Sequence, residues 1–297
     1  MEQDRQVIEQ QEQAPKGKKK LRKNTVITIV LVIIFAAGLS LMLYPSFSNW
    51  WNQRHQTQAI AGYVAASNDM TKEQRQKMWD QAVAYNQKLS QKGTNFNLSE
   101  EELKEYNSIL DVTGTGIMGY VDIPKINISL PIYHGTDEAV LQVAIGHIAG
   151  SSLPVGGAGS HCVVSGHRGL PSARLFTDLD KLQDGDHFML QVLGETLTYQ
   201  VDQIRTVLPD ELGDLQIEEG QDYCTLVTCT PYGVNTHRLL VRGHRVANDE
   251  GDVMINADAT QVDPLQAALV IGAILLLLIL LWTVLATRQR KIRVKYK

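Results

Sequence analysis

Two uncharged, strongly apolar runs lie near the two ends of the 297-residue chain. The first, Thr25 to Tyr44, holds twenty residues, and the second runs from Pro264 to Ala286. At about 1.5 Å per residue, a helix over either run is long enough to cross the ~30 Å hydrocarbon core of a bilayer. The pattern therefore predicts two transmembrane helices, at 25–44 and 264–286.

Basic residues flank the outer side of both runs. Residues 1–24 contain seven Lys or Arg, and residues 287–297 contain six. Because basic flanks stay on the cytoplasmic side, both tails are predicted to be cytoplasmic and the middle of the chain extracellular. A cleaved signal peptide is the alternative for the first run. An uncleaved anchor is favoured, since the run is long for a signal peptide and no clear A-x-A cleavage site follows it.

Residues 45–110 carry the period of helices. Thr71 and Gln74 have the spacing of a capping box, as do Ser99 and Glu102 at the start of a second, shorter helix. The first box is followed by apolar residues on one helical face, namely Met78, Ala82, Tyr85 and Leu89. The segment is predicted to be a helical accessory that packs on the main domain or spaces it from the bilayer.

From Met118 onward the apolar period changes from 3.6 to two. The alternating apolar positions are Ile126, Ile128, Leu130, Ile132, Leu197, Tyr199 and Val201. The tripeptide "LGE" at 193–195 looks like a hairpin turn. Many short strands with little helix predict a mostly β domain over 111–250, mostly antiparallel and closed into a barrel. Residues 251–263 would link it to the second span.

Charge distinguishes the predicted exterior from the tails. The whole chain has a net charge of -4, but the part between the tails holds 15 basic and 28 acidic residues, about -13 in all. Nucleic acid is an unsuitable partner for so acidic a surface, because phosphate binding needs clustered Lys and Arg. The glycine-rich "VGGAGSH" at 155–161 lacks the lysine of a P-loop. No metal or cofactor is predicted.

Cys229 ends the β-rich run "DYCTLVTC", just before the turn "TPYG". A residue at a strand end is held by a rigid scaffold and stays within reach of a substrate. A cysteine nucleophile needs a base or a cation beside it. Of the eight histidines, His167 in "CVVSGHRGLPS" repeats the strand-end setting and is the preferred partner. A solvated loop histidine is the alternative interpretation.

An arginine would complete such a site, because its guanidinium can donate to an oxyanion without losing its proton. The strand "HRLLVRGHR" offers Arg238 and Arg242, which are four residues apart and hence share one face. Arg238 is nearer the turn that carries Cys229, but the spacing does not separate the two. A plain surface charge is the alternative for either.

Three segments carry a family resemblance: "GIMGYVDIPKINISLPIYHGT", "VVSGHRGLPSARLFTDLDKL" and "TLVTCTPYGVNTHRLLVRG". Together they resemble the sortase family, most closely the pilus-type class C sortases of Gram-positive bacteria, from about Met118 to Arg245. The resemblance implies an eight-stranded barrel and a cysteine transpeptidase. It implies that His167, Cys229 and Arg238, rather than Arg242, are the catalytic residues. The two flanking anchors also fit that class.

The resemblance further implies a reaction and its partners. The enzyme would cut an LPXTG-type sorting signal of a pilin or surface protein between Thr and Gly, and join the released carboxyl to a lysine of another pilin. Ser165 and Thr228, shortly before the catalytic residues, are candidate supporting donors, although strand packing explains them equally well. The alternatives are a housekeeping sortase that attaches proteins to peptidoglycan, a hydrolytic cysteine peptidase, and an inactive scaffold for pilus assembly.

Two features concern how such a site is covered and how it responds to oxidation. Many class C sortases carry an Asp-Pro-aromatic lid motif, which is missing between residues 45 and 117; Phe96 is the one aromatic residue there in a loop-like setting. We therefore expect an open site or a different cover. Cys162 and Cys224 each lie five residues before a catalytic residue. Neighbouring strands in the family fold would bring them together, as a disulfide or, as we favour, as two small buried residues.

Overall fold

The computed structural model describes residues 23–248 and Gly272. The second predicted span, the linker 251–263, the tail 287–297 and nearly all of the tail 1–24 lie outside the described residues, Gly272 excepted. The chain divides into two compact units between Tyr44 and Pro45. Each unit is described by itself.

The first helix, α1, spans Lys23–Asp69 and contains the whole apolar run of the first unit. Among the described residues it is the one helix long and apolar enough to cross a membrane, and its apolar part is not buried by protein. The helix does not stop at Tyr44, where the apolar run ends, but continues through Pro45. The apolar pattern alone did not predict this extension over residues 45–69.

Within the second unit, the extension of α1 is held by a buried tyrosine. Tyr63 is 2% exposed; its hydroxyl donates to the carbonyl of Met118 at 3.1 Å and accepts from the amide of Leu193 at 2.8 Å. Burial raises the pKa of Tyr63 to about 12, so the phenol stays neutral and able to donate. Burying such a side chain contributes roughly 1.5–3 kcal/mol to the stability of the fold. This burial stabilises a helix that the apolar periodicity of the local sequence does not predict.

Two further helices confirm the capping boxes. Helix α2 spans Lys72–Lys92 and helix α3 spans Glu100–Ser108, and each begins with both reciprocal bonds of its box. The buried side chains of α2 include Ala82, Tyr85 and Leu89, which belong to the main core. The accessory segment therefore packs on the main domain. This is one of the two arrangements predicted for it, the other being a spacer between the domain and the bilayer.

Eight strands form a closed barrel in the order β1-β2-β3-β4-β7-β8-β6-β5. The pairs β2–β3 and β4–β7 are parallel and the other pairs are antiparallel. This confirms the predicted closed, mostly antiparallel barrel. A short helix, α4, spans Glu138–Leu141 between β2 and β3. The strands are β1 Ile117–Ile123, β2 Ile128–His134, β3 Ile145–His147, β4 Ser160–Ser165, β5 His187–Val192, β6 Glu195–Val207, β7 Asp222–Thr230 and β8 His237–Arg245.

The hairpin between β5 and β6 shows how local sequence and core agree. Leu193 and Gly194 connect the strands with φ values of 53° and 86°, as a two-residue hairpin turn requires. The alternating apolar residues of β6 are buried inside the barrel, where Tyr199 stacks on Phe188 with ring centroids 5.6 Å apart. The predicted turn at 193–195 is confirmed.

The buried His161 and the half-buried His134 give the fold a predicted pH dependence. Burial lowers the pKa of His134 and of His161 below the usual value of about 6.5. The unfolded chain therefore binds more protons than the folded chain as pH falls through that value, so stability is fully present above it and is lost below it. We expect the melting temperature to fall between pH 7.5 and 6, measured by circular dichroism.

Histidine variants isolate this effect from other titrating groups. Replacing His161 by Gln should flatten the slope of melting temperature against pH, whereas His187→Gln, at an exposed position of β5, should leave the slope unchanged. A melting temperature that stays constant or rises as pH falls from 7.5 to 6 would contradict the expected linkage.

Candidate active site

Three neighbouring strand ends create the site. Strands β4, β7 and β8 are adjacent in the barrel, with β4 parallel to β7 and β7 antiparallel to β8. The carboxyl ends of β4 and β7 and the amino end of β8 consequently meet at one rim. His167 follows β4, Cys229 is next to last in β7, and Arg238 is second in β8. The fold thus brings the three predicted residues to the same rim.

Strand register aligns these residues closely. Cys229 pairs directly with Arg238 across the antiparallel ladder. On the other side of β7, Ser165 pairs with Val227 in the parallel ladder. β4 ends at Ser165, but the amide of Gly166 still donates to the carbonyl of Val227 at 3.0 Å, so His167 follows beside the end of β7. Cys229 is therefore flanked by a histidine on one side and an arginine on the other.

Alternation along β7 shows which face carries the nucleophile. Cys224, Leu226 and Thr228 are at most 1% exposed and point into the barrel. Cys229 has the opposite parity and is partly exposed, so its thiol lies on the outer face. A substrate can approach there without entering the core.

His167 has a ring nitrogen available for proton transfer. Its Nε2 is shielded from solvent and has no hydrogen-bond partner among residues 23–248. The nearest carboxylate oxygen belongs to Glu138 of α4, 4.0 Å from Nε2. Since the Glu138 side chain is 73% exposed, solvent screens this pair to about 0–1 kcal/mol. Sequence analysis did not identify Glu138, because 29 residues separate it from His167 and no motif connects them.

The two candidate arginines have different surroundings. Arg242 donates to both carboxylate oxygens of Asp202 at 3.1 Å and lies over the ring of Tyr223, 4.1 Å from its centroid. Arg238 donates only to the carbonyls of His237 and Asn235, at 3.2 and 3.4 Å. Within residues 23–248 it has no acidic partner. Arg242 is thus engaged in a structural ion pair, whereas Arg238 keeps donors for a ligand beside Cys229.

The two candidate supporting residues differ in their contacts. The hydroxyl of Thr228 donates to the carbonyl of Gly166 at 2.7 Å and so ties β7 to the residue before His167. The side chain of Ser165 makes no hydrogen bond within the described chain, although its backbone lies in the ladder. The Thr228 side chain therefore links β7 to the segment that carries His167. Among the described residues, Ser165 contributes only its backbone hydrogen bonds in the sheet.

Three other histidines are held by the barrel itself. They are His134, His147 and His161. In each of them, both ring nitrogens lie within hydrogen-bond distance of another protein group. None of them is placed to exchange a proton with Cys229. Among the described residues, no group of three or more His, Cys, Asp or Glu side chains converges as metal ligands would.

The remaining cysteines are neighbours inside the barrel. Cys162 of β4 pairs directly with Cys224 of β7, which confirms their predicted proximity. Both are buried free thiols, in agreement with the favoured interpretation. Burial raises the pKa of the Cys224 thiol well above its usual range. Because a substrate cannot reach a thiol buried in the barrel, the partly exposed Cys229 is the better placed nucleophile.

The loop between α2 and α3 packs on the barrel through Phe96. Phe96 packs against a small apolar cluster on the outer side of the barrel, formed by Val163, Leu215, Val227 and Leu240. Val227 is two residues before Cys229 and shares its face. Phe96, which lies outside any lid motif, thus packs on a cluster that has one member in the strand of the nucleophile.

Comparison with known proteins identifies the family of this chain. The family model for the sortase domain matches residues 121–246. Sortase D of Bacillus subtilis is 29% identical over 162 residues, 54% of this chain and 78% of that protein. The crystal structure of sortase C1 from Streptococcus agalactiae has 58% identity and a TM-score of 0.64, and covers 65% of this chain and 100% of that chain. The crystal structure of Streptococcus pneumoniae sortase C has 43% identity and a TM-score of 0.57. That match covers 64% of this chain and 97% of the sortase C chain. The chain therefore belongs to the sortase family, among its class C members.

Proposed function

We propose that the protein is a membrane-anchored cysteine transpeptidase that polymerises pilins. It cleaves LPXTG-type sorting signals between Thr and Gly and transfers the Thr carboxyl to a pilin lysine. The observation that carries the proposal is the register that pairs Cys229 with Arg238, at the rim where the chain leaving β4 carries His167. The class C relatives support the choice of pilins, since the Streptococcus pneumoniae structure is described in terms of pilin substrate specificity.

The first half-reaction forms a thioester. The Cys229 thiolate attacks the Thr carbonyl carbon, and a C–S bond forms as the carbonyl oxygen becomes an oxyanion. Arg238 donates to that oxyanion, a role that suits its guanidinium because it has no acidic partner within the described residues. When the intermediate collapses, the C–N bond breaks and His167 protonates the departing glycine amine.

The second half-reaction releases the product. The lysine amine attacks the thioester carbon, His167 accepts the proton that the amine loses, and the C–S bond breaks to return the thiolate. An isopeptide bond then joins the two pilins. Water competes with the amine, so transfer requires a surface that shields the thioester and holds the acceptor close to it.

Apolar side chains beside Arg238 support a peptide substrate with apolar residues. Val207, the last residue of β6, pairs with Arg238. The segment that follows it exposes Leu208 and Leu212, at 45% and 40%. Exposed leucines in the segment that follows the strand neighbour of Arg238 suit the Leu and Pro of an LPXTG-type signal.

Membrane attachment is part of the proposal. The exposed apolar part of α1 supports an anchor at the amino end of the chain. The two-pass arrangement, with the span at 264–286, both basic tails in the cytoplasm and the barrel outside, rests on the charge distribution of the sequence.

The full chain in detergent micelles, incubated with a pilin that bears its sorting signal, tests the function. We expect a ladder of covalent multimers on a denaturing gel, with a Thr-to-lysine isopeptide bond identified by mass spectrometry. A pilin with acetylated lysines should be cleaved without a ladder. Transfer only to a peptidoglycan amine would instead identify a housekeeping sortase, and release of a free Thr carboxyl a peptidase. A pilin left intact would overturn the proposed catalysis.

A further inference from the structure

The main-chain contacts between β4 and β7 end just before the proposed catalytic pair. The amide of Gly166 donates to the carbonyl of Val227 at 3.0 Å. The hydroxyl of Thr228 then donates to the carbonyl of Gly166 at 2.7 Å. Both contacts lie on the amino-terminal side of His167 and Cys229, so they leave the other side of the pair to be held by side chains.

Arg168 supplies the contact on the far side of the pair. It directly follows His167, and its Nη1 lies 3.3 Å from the hydroxyl oxygen of Thr230, which directly follows Cys229. Its Nη2 forms an ion pair with Asp180. The residues that flank Cys229 are thus each bonded to a residue that flanks His167.

Burial and hydrogen-bond partners distinguish Arg168 from the reacting residues. The Arg168 side chain is 9% exposed, and a charge so shielded is stable only when it is paired. The Arg168 guanidinium contacts Thr230 and Asp180, and within the described residues it makes no hydrogen bond to His167 or Cys229. Arg168 therefore acts on the pair through Thr230 and not by touching the reacting atoms.

The loop that begins at Arg168 is also held at its other end. The side-chain amide of Asn52, in α1, donates to the carbonyl of Ser172 at 2.8 Å, and the amide of Arg174 donates to the side-chain oxygen of Asn49 at 2.8 Å. These contacts hold the loop independently of Arg168. Removing the Arg168 guanidinium should therefore make the distance between His167 and Cys229 more variable, while the loop stays folded.

We propose that Arg168, braced by Asp180 and bonded to Thr230, is a positioning residue that sets the separation of the His167 imidazole and the Cys229 thiol. The role rests on the proposed catalytic pair. A displacement of about 1 Å at a reacting group is enough to lower a rate by ~10²-fold. A loosened pair would slow both the reaction with substrate and the reaction of Cys229 with small electrophiles.

The test compares Arg168→Ala with a matched control, Arg174→Ala, in the full chain in detergent micelles. Arg174 lies in the same loop and pairs with Asp178, so the control also removes an arginine–aspartate pair. Two quantities are measured: kcat and KM for a sorting-signal peptide, and the rate of Cys229 alkylation by iodoacetamide, followed at that residue by mass spectrometry. Alkylation needs no substrate, so it tests Arg168 even if the peptide is not processed.

For Arg168→Ala we expect kcat to fall about 10- to 100-fold, KM to stay within about twofold, and alkylation at pH 7 to slow in parallel. Added guanidinium ion should restore part of kcat, which a general loss of stability would not allow. Arg174→Ala should keep both rates within about twofold of the wild type. Equal rates in the two variants would overturn the proposal.

Thr230→Val provides a second variant should Arg168→Ala not fold. It removes the hydroxyl that meets Arg168 and keeps the side-chain shape. We expect a fall of about 3- to 10-fold in kcat and in alkylation rate, with a smaller loss of melting temperature than in Arg168→Ala, because one hydrogen bond is lost while the ion pair with Asp180 remains. Wild-type kcat in Thr230→Val would overturn the proposal.

Discussion

Replacing Cys229 by alanine should abolish both cleavage of the sorting signal and the multimer ladder, with a fall in kcat of at least ~10⁴-fold. The reason is that every step of the proposed reaction passes through a bond to the Cys229 sulfur, and the described chain offers no second thiol on the outer face. Rates are measured by following peptide cleavage by liquid chromatography and pilin multimers on denaturing gels. The covalent acyl-enzyme should also disappear from the mass spectrum.

Cys224→Ala is the matched control for this prediction. Cys224 lies in the same strand but points into the core, where it is fully buried. Its loss should lower the free energy of unfolding by about 1 kcal/mol, as is typical of a single substitution, and should leave kcat within about twofold. If Cys229→Ala kept a measurable ladder, or if Cys224→Ala abolished it, the assignment of the nucleophile would be wrong.

Replacing Arg238 by lysine should lower kcat by about 10²–10³-fold, because an oxyanion-stabilising donor contributes that much in comparable enzymes. Lysine keeps the positive charge but lacks the planar fork that holds both a peptide and an oxyanion. Cys229 should remain in place, so its alkylation by iodoacetamide should continue. The measurement is kcat and KM with the sorting-signal peptide, together with the alkylation rate.

Arg242→Lys tests whether position, rather than the mere presence of an arginine on this strand, matters. Arg242 shares its face with Arg238 but is engaged by Asp202. Lysine there should weaken a bidentate ion pair and lower the melting temperature, with kcat within about threefold of the wild type. A larger loss of kcat in Arg242→Lys than in Arg238→Lys would reverse the assignment of the two arginines.

Several features of the fold followed from local sequence. The helix starts at Thr71 and Ser99 were predictable because a capping box is satisfied entirely within four residues. The turn at Leu193 and Gly194 was predictable because the backbone of a tight hairpin favours glycine. The strand ends at His167 and Cys229 were visible as apolar runs that meet Gly and Pro. In each case the interactions that decide the structure lie between residues close in sequence.

Other features depended on contacts between distant parts of the chain. The continuation of α1 to Asp69 is held by Tyr63, whose partners lie 55 and 130 residues away. The two arginines of β8 have the same local pattern, and only the pairing of Arg238 with Cys229 and of Arg242 with Asp202 separates their environments.

The sequence by itself thus determined the helix caps, the hairpin turn and the residue types of the site. The family resemblance, carried by its motifs, selected Arg238. The tertiary structure alone decided the register that aligns the site, the approach of Glu138 to His167, and the bond from Arg168 to Thr230. The physical reason is that local backbone preferences are encoded within a few residues, whereas register and side-chain pairing across the barrel arise only when distant strands close together.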